Sequence, residues 1–485
     1  MEALISLYEW AFSNLIWINM LLALALVFFE RRNPTSTWLW LMVLLFLPGI
    51  GFILYLFIGQ DMSKKKMFKL KSEEDDCFDI LIADQEKNLT TREFLKRNPE
   101  YKIYDDIVKL NLMSSKSVYT VDNDVELLFS GEDKFTSLLN CIENAKRYIH
   151  MEYYIFHSDQ IGSKVLDALT RKAEEGVEVK LLIDGMGGRE MSRKALERLK
   201  LAGGNAAFFF PPFIPIVNVR INYRNHRKIC IIDGEVAFMG GFNIGDEYLG
   251  ISRKFGYWRD THLKLRGSVI SSLQWQFFLD WRFATGKELT GCQSYVGAEI
   301  NEEKVGVQIV SSGPDSKWPS IKDGYLKMIA NAEKKLYMET PYFIPDDSIF
   351  EVLRIAGLSG LDVRIMIPNK PDHPFVYWAG LSYIGDLLEA GVRFYTYERG
   401  FLHSKVMIMD DLVSSVGTAN LDIRSFKLNF EINAFIYDSE INKALTDRFI
   451  GDLQNCHEIT IEEYNKRSRM IKMKESVSRL LSPIL

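Results

Sequence analysis

The pattern of apolar and polar residues divides the chain into two regions. Residues 10–29 and 37–58 are apolar runs without a charged side chain. As helices rising about 1.5 Å per residue, each is long enough to cross a hydrocarbon core of about 30 Å. From about residue 123, short apolar runs alternate with segments of helical period. That order predicts an α/β fold in which helices flank a mixed, mostly parallel sheet.

The two apolar runs are predicted to form a transmembrane helical hairpin. The N-terminus lacks the basic region of a cleaved signal peptide, and a second run follows directly. A buried hairpin of a water-soluble protein is the alternative. Two arginines, Arg31 and Arg32, lie between the runs, whereas five lysines follow the second one within residues 64–71. This excess predicts a multi-pass protein of the cell membrane with its catalytic part on the cytoplasmic side.

The α/β region contains an internal duplication. Residues 125–131 resemble residues 307–313, and residues 145–153 resemble residues 332–340. The predicted organisation has five parts: two transmembrane helices (1–62), a connecting region (63–122), a first half (123–295), a second half (296–455) and a basic amphipathic C-terminal helix (456–485). That helix is expected either on a membrane surface or docked on its own domain. A proline-rich apolar insertion at 211–217 is either a lipid-contacting lid or a packed loop.

Composition narrows the possible partners and compartment. The formal net charge of −5 lacks the basic character of a general nucleic-acid-binding protein, so no nucleic-acid partner is expected. The five cysteines include no C-x-x-C pair. A disulfide framework and a zinc site are therefore not indicated, and a reducing compartment is expected.

One polar motif occurs twice, once in each half. Both copies read H-x-K-x4-D-x6-G-[GT]-x-N. The first consists of His226, Lys228, Asp233, Gly240, Gly241 and Asn243, and the second of His403, Lys405, Asp410, Gly417, Thr418 and Asn420. Two such copies in a chain with seven histidines are very improbable by chance.

The motif predicts a β-hairpin that carries the histidine and the lysine on one face. These residues are two apart, so both side chains can reach one phosphate group. Asp233-Gly234 is a strong two-residue turn signal, and it predicts that Gly241 lies opposite His226. The same reasoning sets Thr418 opposite His403. The motif aspartates, Asp233 and Asp410, would lie at the turns and have structural roles.

A duplicated H-x-K motif resembles the phospholipase D superfamily, and the resemblance covers about residues 123 to 440. With the N-terminal apolar runs and the basic C-terminus, the chain is similar to bacterial cardiolipin synthases. The resemblance implies phosphatidyl transfer between two phosphatidylglycerol molecules, giving cardiolipin and glycerol through a phosphohistidine. It implies an integral membrane protein that binds anionic lipid. No metal and no cofactor are implied.

The resemblance also implies roles for the motif residues. His226 is assigned as the nucleophile by analogy with relatives, and His403 as the general acid and base. Lys228 and Lys405 would stabilise charge on the phosphate oxygens. The set expected to bind substrate consists of Asn243, Asn420, Gly241 and Thr418. Many relatives have a serine where this chain has Gly241, so the one contact made by that serine hydroxyl is not expected here.

Each histidine requires a partner that fixes its tautomer. In the family, acids downstream of the motifs have this role, and Asp260 and Glu431 are the candidates here. Either acid could serve either histidine. Glu152 and Glu339 have two open interpretations, as site-lining or as structural residues. His373 is a candidate substrate contact, and the remaining histidines are expected to be structural or exposed: His150, His157, His262 and His457.

Two alternatives to a synthase are considered. A hydrolase, either a phospholipase or a nuclease, would use the same site with water in the second step. The two apolar runs and the near-neutral charge disfavour a nuclease. A catalytically inactive membrane scaffold would require a damaged motif, and both motifs are intact.

Overall fold

A computed structural model of the protein describes residues 34–47, 104–210, 223–252, 254–287 and 304–482, and the single positions 17, 20, 21 and 51. The chain divides into two compact units, one formed by residues 1–73 and 212–223 and the other by residues 74–211 and 224–485. The smaller unit contains helix α1 (Pro34–Phe46). None of the helices within the described ranges combines the length and apolarity needed to cross a bilayer. The predicted spans and the insertion at 211–217 lie largely outside the described residues.

The first half of the larger unit alternates strands and helices. Its elements in order are α2 (Asp105–Ser115), β1 (Tyr119–Leu128), α3 (Gly131–Glu143), β2 (Tyr148–Tyr153), α4 (Gln160–Glu174), β3 (Glu178–Asp184), α5 (Arg193–Leu201), β4 (Asn205–Phe209), β5 (Arg224–Asn225), β6 (Lys228–Ile232), β7 (Val236–Gly240), a short 3-10 helix (Asp246–Leu249), β8 (Tyr257–Arg259), β9 (His262–Gly267) and α6 (Val269–Thr285).

The second half repeats this order and adds a C-terminal extension. Its elements are β10 (Val305–Ser312), α7 (Ser320–Asn331), β11 (Lys335–Glu339), β12 (Phe343–Ile344), α8 (Asp347–Leu358), β13 (Asp362–Pro368), α9 (Pro374–Leu381), α10 (Ile384–Glu389), β14 (Arg393–Tyr397), β15 (Gly400–Leu402), β16 (Val406–Met409), β17 (Val413–Gly417), β18 (Leu421–Asp422), α11 (Ile423–Lys427), β19 (Asn429–Tyr437), α12 (Ser439–Leu453), β20 (Cys456–Ile459), α13 (Ile461–Asn465) and α14 (Arg469–Leu480).

One continuous sheet joins the two halves. Its order is β20-β14-β13-β11-β16-β17-β19-β10-β1-β9-β7-β6-β2-β3-β4, with β5 attached to β19. The halves meet where β1 and β10 pair antiparallel. The order on one side of that pair mirrors the order on the other, which gives the sheet approximate two-fold symmetry.

The expectation of a mostly parallel sheet was wrong. Parallel pairing in this sheet occurs between β2, β3 and β4, between β11, β13 and β14, and where β5 joins β19. The central strands pair antiparallel, because each motif hairpin returns directly to the strand beside it. A hairpin connection reverses chain direction, whereas a helical crossover preserves it.

Each half has its own apolar core. Corresponding helices of the two halves also begin with the same N-cap residue, an aspartate. The first core lies among β2, β3, β6 and helices α3 and α4, and the second is its counterpart around β11 and β13. Asp159 and Asp346 cap α4 and α8 by accepting a hydrogen bond from a backbone N–H of the first turn. Helix α2, from the predicted connecting region, buries Ile107 and Leu112 in the larger unit.

The motif hairpins form, but their register differs by one residue from the predicted one. Ile232 pairs with Val236, so the connection has three residues instead of two. Asp233 and Gly234 both have left-handed backbone conformations, with φ of 56° and 71°. Glu235 donates its N–H to the Ile232 carbonyl and is the third residue of the turn, so strand pairing begins again at Val236. The predicted pairing of Gly241 with His226 is therefore wrong, as is that of Thr418 with His403, whose hairpin pairs Met409 with Val413.

Candidate active site

The two motif histidines approach the junction between the halves through matching strand pairs. Strand β5, which ends at Asn225, runs parallel to the start of β19. Strand β15, which ends at Leu402, runs parallel to β8. The N–H of His226 donates to the Phe430 carbonyl at 2.9 Å, and the N–H of His403 donates to the Arg259 carbonyl at 2.8 Å. Each histidine is therefore held by the strand of the opposite half that leads to an acid.

Each imidazole is bonded to an acid of the opposite half. His226 Nδ1 lies 2.9 Å from Glu431 Oε2, and His403 Nδ1 lies 2.7 Å from Asp260 Oδ2. Both carboxylates are fully buried. This arrangement favours a proton on Nδ1 and leaves the lone pair on Nε2. The structure thus pairs the two candidate acids with the two histidines crosswise.

Burial favours the neutral form of both imidazoles. It lowers the pKa of His226 to about 4, opposed by Glu431 and assisted by the positive charge of Lys228. The pKa of His403 is likewise lowered to about 4 by burial and by Lys405. A neutral imidazole retains the lone pair needed to attack phosphorus or to accept a proton.

The two lysines lie inside the same site. Lys228 Nζ donates to the His226 carbonyl at 2.6 Å. Lys405 Nζ donates to the His403 carbonyl and lies 2.8 Å from His403 Nδ1. Burial lowers the pKa of Lys228 to about 7 and that of Lys405 to about 8, and the positive charge of Lys405 adds to the effect on Lys228. An anion bound between them would favour their charged forms.

The two acids differ in their surroundings. Thr418 Oγ1 donates to Glu431 Oε2 at 2.6 Å, and Asn429 Nδ2 donates to Oε1 at 3.1 Å. Burial opposes ionisation of Glu431, but His226, Lys228 and the Thr418 hydroxyl lower its pKa below the ordinary value. Asp260 accepts the Thr261 N–H at 2.8 Å in addition to its contact with His403.

Gly241 occupies the position equivalent to Thr418 and leaves room for the Asp260 carboxylate. A Cβ atom on Gly241 would lie 1.9 Å from Asp260 Oδ1. The N–H groups of Gly241 and Thr418 donate to the carbonyls of Thr261 and Ile432, next to the acids. These two residues, expected to bind substrate, thus contact the acid-bearing segments, and the Thr418 hydroxyl is engaged within the protein.

The motif asparagines have unequal environments. Asn243 Oδ1 accepts the Ile155 N–H at 3.2 Å, and its Nδ2 donates to the Tyr248 hydroxyl at 3.0 Å. Asn420 Oδ1 is buried and has no hydrogen-bond partner within the described part of the chain. Of the two amide oxygens, that of Asn420 is the one left to contact a ligand hydroxyl.

The motif aspartates lie at the hairpin turns and bind backbone groups away from the histidines. The Asp233 carboxylate accepts N–H groups of Lys146, Arg147 and Tyr148 at 2.7 to 2.9 Å. The Asp410 carboxylate accepts those of Glu333, Lys334 and Lys335 at 2.7 to 2.8 Å. Each aspartate therefore joins its hairpin to the beginning of the neighbouring strand, β2 or β11.

Two buried arginines lie beside matching pairs of acids, a feature that the sequence interpretation missed. Arg227 Nη1 donates to Asp280 at 2.5 Å, and its charge opposes burial and Asp280, which together still raise the pKa of Glu152 well above its usual value. Arg259 donates to Asp452 at 2.6 Å and to Glu339 at 3.1 Å. The sequence pointed to these arginines only through their positions next to site residues, since Arg227 follows His226 and Arg259 precedes Asp260. Glu152 and Glu339 are thus buried supports of the strands that underlie the site.

The other histidines lie outside this constellation. His150 is bonded to Glu178 and Gln274, and His262 is fully buried. The His373 side chain is 71% exposed. Within the described ranges, no group of three or more His, Cys, Asp or Glu side chains has an arrangement suited to a metal ion.

Family comparisons agree with the duplicated architecture. The family described as "Cardiolipin synthase, PLD-like domain" matches residues 138–254 and 325–453. The family described as "Phospholipase_D-nuclease N-terminal" matches residues 18–60. Both motifs lie inside these matched segments, the first at residues 226–243 and the second at residues 403–420.

Similar proteins match almost the whole chain. The major cardiolipin synthase of Bacillus subtilis (strain 168) is 49% identical over 469 residues, which cover 96% of this chain and 97% of that one. Cardiolipin synthase 2 of Staphylococcus epidermidis (strain RP62A) is 48% identical, with 96% of each chain covered. The crystal structure of phosphatidylserine synthase from Haemophilus influenzae shares the fold, with a TM-score of 0.60, 16% identity, and coverage of 80% of this chain and 100% of that one. The chain therefore belongs to the bacterial cardiolipin synthase family of the phospholipase D superfamily.

Proposed function

We propose that the protein is a cardiolipin synthase that transfers a phosphatidyl group from one phosphatidylglycerol to another, releasing glycerol. The observation that supports this most directly is the crosswise pairing of His226 with Glu431 and of His403 with Asp260. Two independently oriented imidazoles at one junction suit a displacement in two steps. Attack and departure occur on opposite sides of phosphorus, so each step requires one group on each side.

In the first step, His226 Nε2 attacks phosphorus and forms a phosphohistidine. The bond to the glycerol oxygen breaks, and protonated His403 gives that oxygen a proton. Burial and the charge of Lys405 lower the pKa of His403 to about 4 in the protein by itself. The negative phosphodiester beside the imidazole favours its protonated form. In the second step, His403 takes the proton from a hydroxyl of a second phosphatidylglycerol, whose oxygen displaces His226 and completes cardiolipin.

Lys228 and Lys405 hold the non-bridging phosphate oxygens in this proposal. Their buried positions let a fixed positive charge act at short range on the charge that develops in the transition state. Asn420 and Asn243 complete the substrate-binding set, while Thr418 and Gly241 act through the acids. Glu431 and Asp260 hold the proton on Nδ1 of each histidine and stabilise the imidazolium when it forms.

The proposed setting is the cell membrane. The apolar runs at 10–29 and 37–58 are proposed to form a transmembrane hairpin within residues 1–62, followed by a connecting region at 63–122. The halves, 123–295 and 296–455, and the C-terminal segment 456–485 are proposed to lie on the cytoplasmic side. Phosphatidylglycerol and other anionic lipids are the partners, and no nucleic-acid partner is proposed.

Purified protein in vesicles, supplied with labelled phosphatidylglycerol and excess chelator, tests the proposal. We expect cardiolipin and glycerol in equal amounts, and neither product from His226→Ala or His403→Ala protein. Phosphatidic acid as the sole lipid product would identify a hydrolase instead. Loss of all turnover with chelator, restored by a divalent cation, would contradict the metal-free mechanism.

A further inference from the structure

Helix α14 near the C-terminus exposes a continuous row of apolar side chains. Met470, Met473, Val477 and Leu480 are 58%, 57%, 52% and 80% exposed. Their spacing of three, four and three residues places them on one face of the helix. A row of this kind on the surface of a protein marks a site of contact with another apolar phase or partner.

The opposite face of α14 attaches the helix to the second half. Glu475 and Ser478 are buried, and Arg467 Nε lies 2.9 Å from Glu475 Oε1. Helix α14 packs on α9, where Lys474 Nζ lies 5.2 Å from the ring centre of Trp378. The two expectations for this segment, docking on its own domain and contact with a membrane, are therefore compatible. Docking fixes which face points outward.

The charged residues of α14 are mostly basic. Four of its twelve residues are basic, namely Arg469, Lys472, Lys474 and Arg479, and one is acidic. That acid is Glu475, which is buried against Arg467. The helix therefore presents an exposed apolar row with cations beside it, two of which, Lys474 and Arg479, also lie over the rings of Trp378 and Tyr383. An apolar row with adjacent cations suits an interface with anionic head groups.

Helix α9 connects this surface to the active site. It begins at Pro374, and the preceding Asp372 accepts a hydrogen bond from the Tyr342 hydroxyl. Burial lowers the pKa of Lys405, and the negative charge of Asp372 is among the effects that oppose this. Phe375, in the first turn of α9, is 57% exposed. The segment that borders the site thus continues into the helix on which α14 lies.

We propose that Phe375, Met470, Met473, Val477 and Leu480 form an interfacial surface that rests on an anionic lipid bilayer and brings the site to the head groups of its lipid substrate. The apolar side chains enter the boundary with the acyl chains, and the bordering lysines and arginines contact lipid phosphates. This inference deepens the proposed function and rests on it, because it assumes a substrate that stays in the bilayer.

Photo-crosslinking tests the surface without requiring turnover. A benzophenone amino acid replaces Met473 in the full chain, which is then placed in phosphatidylglycerol and phosphatidylcholine vesicles. The control has the same amino acid in place of Leu201, which is 89% exposed at the end of α5. We expect lipid adducts at 473 and at least about tenfold fewer at 201. Equal yields at the two positions would overturn the proposal, whatever product the enzyme makes.

A matched pair of substitutions tests the functional consequence. Leu480→Asp places a charge in the surface, whereas Leu201→Asp makes the same change at an exposed leucine elsewhere. The measured quantity is turnover on vesicles divided by turnover on dispersed short-chain phosphatidylglycerol. We expect Leu480→Asp to lower this ratio about tenfold, because it removes apolar contact with lipid, and Leu201→Asp to leave the ratio unchanged. An unchanged ratio in both variants would contradict the proposal, whereas absence of cardiolipin in every preparation would instead contradict the proposed function.

Discussion

His226 in the first half is oriented by Glu431 in the second half, with 2.9 Å between Nδ1 and Oε2. The reciprocal contact joins His403 to Asp260 at 2.7 Å. Neither half contains a histidine together with the acid that orients it. The duplicated chain therefore builds one site from two incomplete halves, and the pairing of β5 with β19 and of β15 with β8 sets the geometry of the two His–acid pairs.

Replacing an orienting acid should reduce turnover without unfolding the protein. Glu431→Gln keeps the shape of the side chain but removes the charge that stabilises the His226 imidazolium, so we expect kcat to fall by a factor on the order of 1,000. The measurement is the initial rate of cardiolipin formation, with the Tm as a check on folding. Glu458→Gln is the control, because this residue of β20 is partly exposed and contacts Arg393 rather than a motif residue. A Glu431→Gln enzyme with more than half of the original kcat would contradict the assigned role.

The Thr418 hydroxyl should contribute through Glu431. Thr418→Val removes a donor 2.6 Å from Glu431 Oε2 while preserving the branched shape, and it leaves a buried carboxylate with one hydrogen bond fewer. We expect kcat to fall about tenfold, or ~1.4 kcal/mol in activation free energy. Thr418→Ser keeps the hydroxyl and should retain most of the activity. Equal rates for the valine and serine variants would show that the hydroxyl has no catalytic effect.

Substitutions at Gly241 should follow a specific order. Any side chain there displaces the Asp260 carboxylate, because its Cβ would lie 1.9 Å from Oδ1. A serine hydroxyl can donate to the displaced carboxylate, whereas an alanine methyl cannot. We therefore expect both variants to be slower than the native enzyme, with Gly241→Ala slower than Gly241→Ser. Steady-state rates on phosphatidylglycerol give the order, and an alanine variant as fast as the native enzyme would refute the argument.

The turn aspartates should affect stability more than chemistry. Asp233→Asn keeps a residue that tolerates the left-handed φ of 56°, but it weakens three hydrogen bonds from backbone N–H groups. We expect the free energy of unfolding to fall by about 1–3 kcal/mol with little change in kcat at low temperature. Denaturation in detergent measures the first quantity. Native stability combined with total loss of activity would instead place Asp233 in the chemistry.

The buried histidines should make the protein sensitive to acid. The pKa of His226 and of His403 is about 4 in the folded protein, against an ordinary value of about 6.5. Between these values the unfolded chain binds more protons, so stability falls as pH decreases from about 6.5 to about 4. The loss is on the order of a few kcal/mol for each histidine.

Removing one of these histidines should weaken that dependence. His226→Asn keeps a donor for Glu431 but has no group that titrates in this range, so we expect a smaller fall in Tm between pH 7 and pH 4.5. His373→Asn, at a side chain that is 71% exposed, is the control and should keep the native difference. An unchanged difference in His226→Asn protein would show that burial of this imidazole does not determine the acid sensitivity.

The sequence by itself determined the duplication, the candidate catalytic groups and much of the local structure. A repeated H-x-K motif identifies its histidines and lysines without coordinates, because alternation along a strand puts both on one face. The turn position of Asp233 and Asp410 also followed from the sequence. Each lies seven positions after its histidine, too far along an extended strand to contact the imidazole. These are properties of neighbouring residues in one segment.

Tertiary structure decided how the segments meet. The partner of each histidine depends on the pairing of β5 with β19 and of β15 with β8. These contacts join residues 205 and 143 positions apart, and no local pattern encodes them. The hairpin register depended on one extra turn residue, and a slip of one position changes every partner along a strand. The motifs thus specified which groups are the candidates for the chemistry, whereas packing of one half against the other specified which acid contacts which histidine.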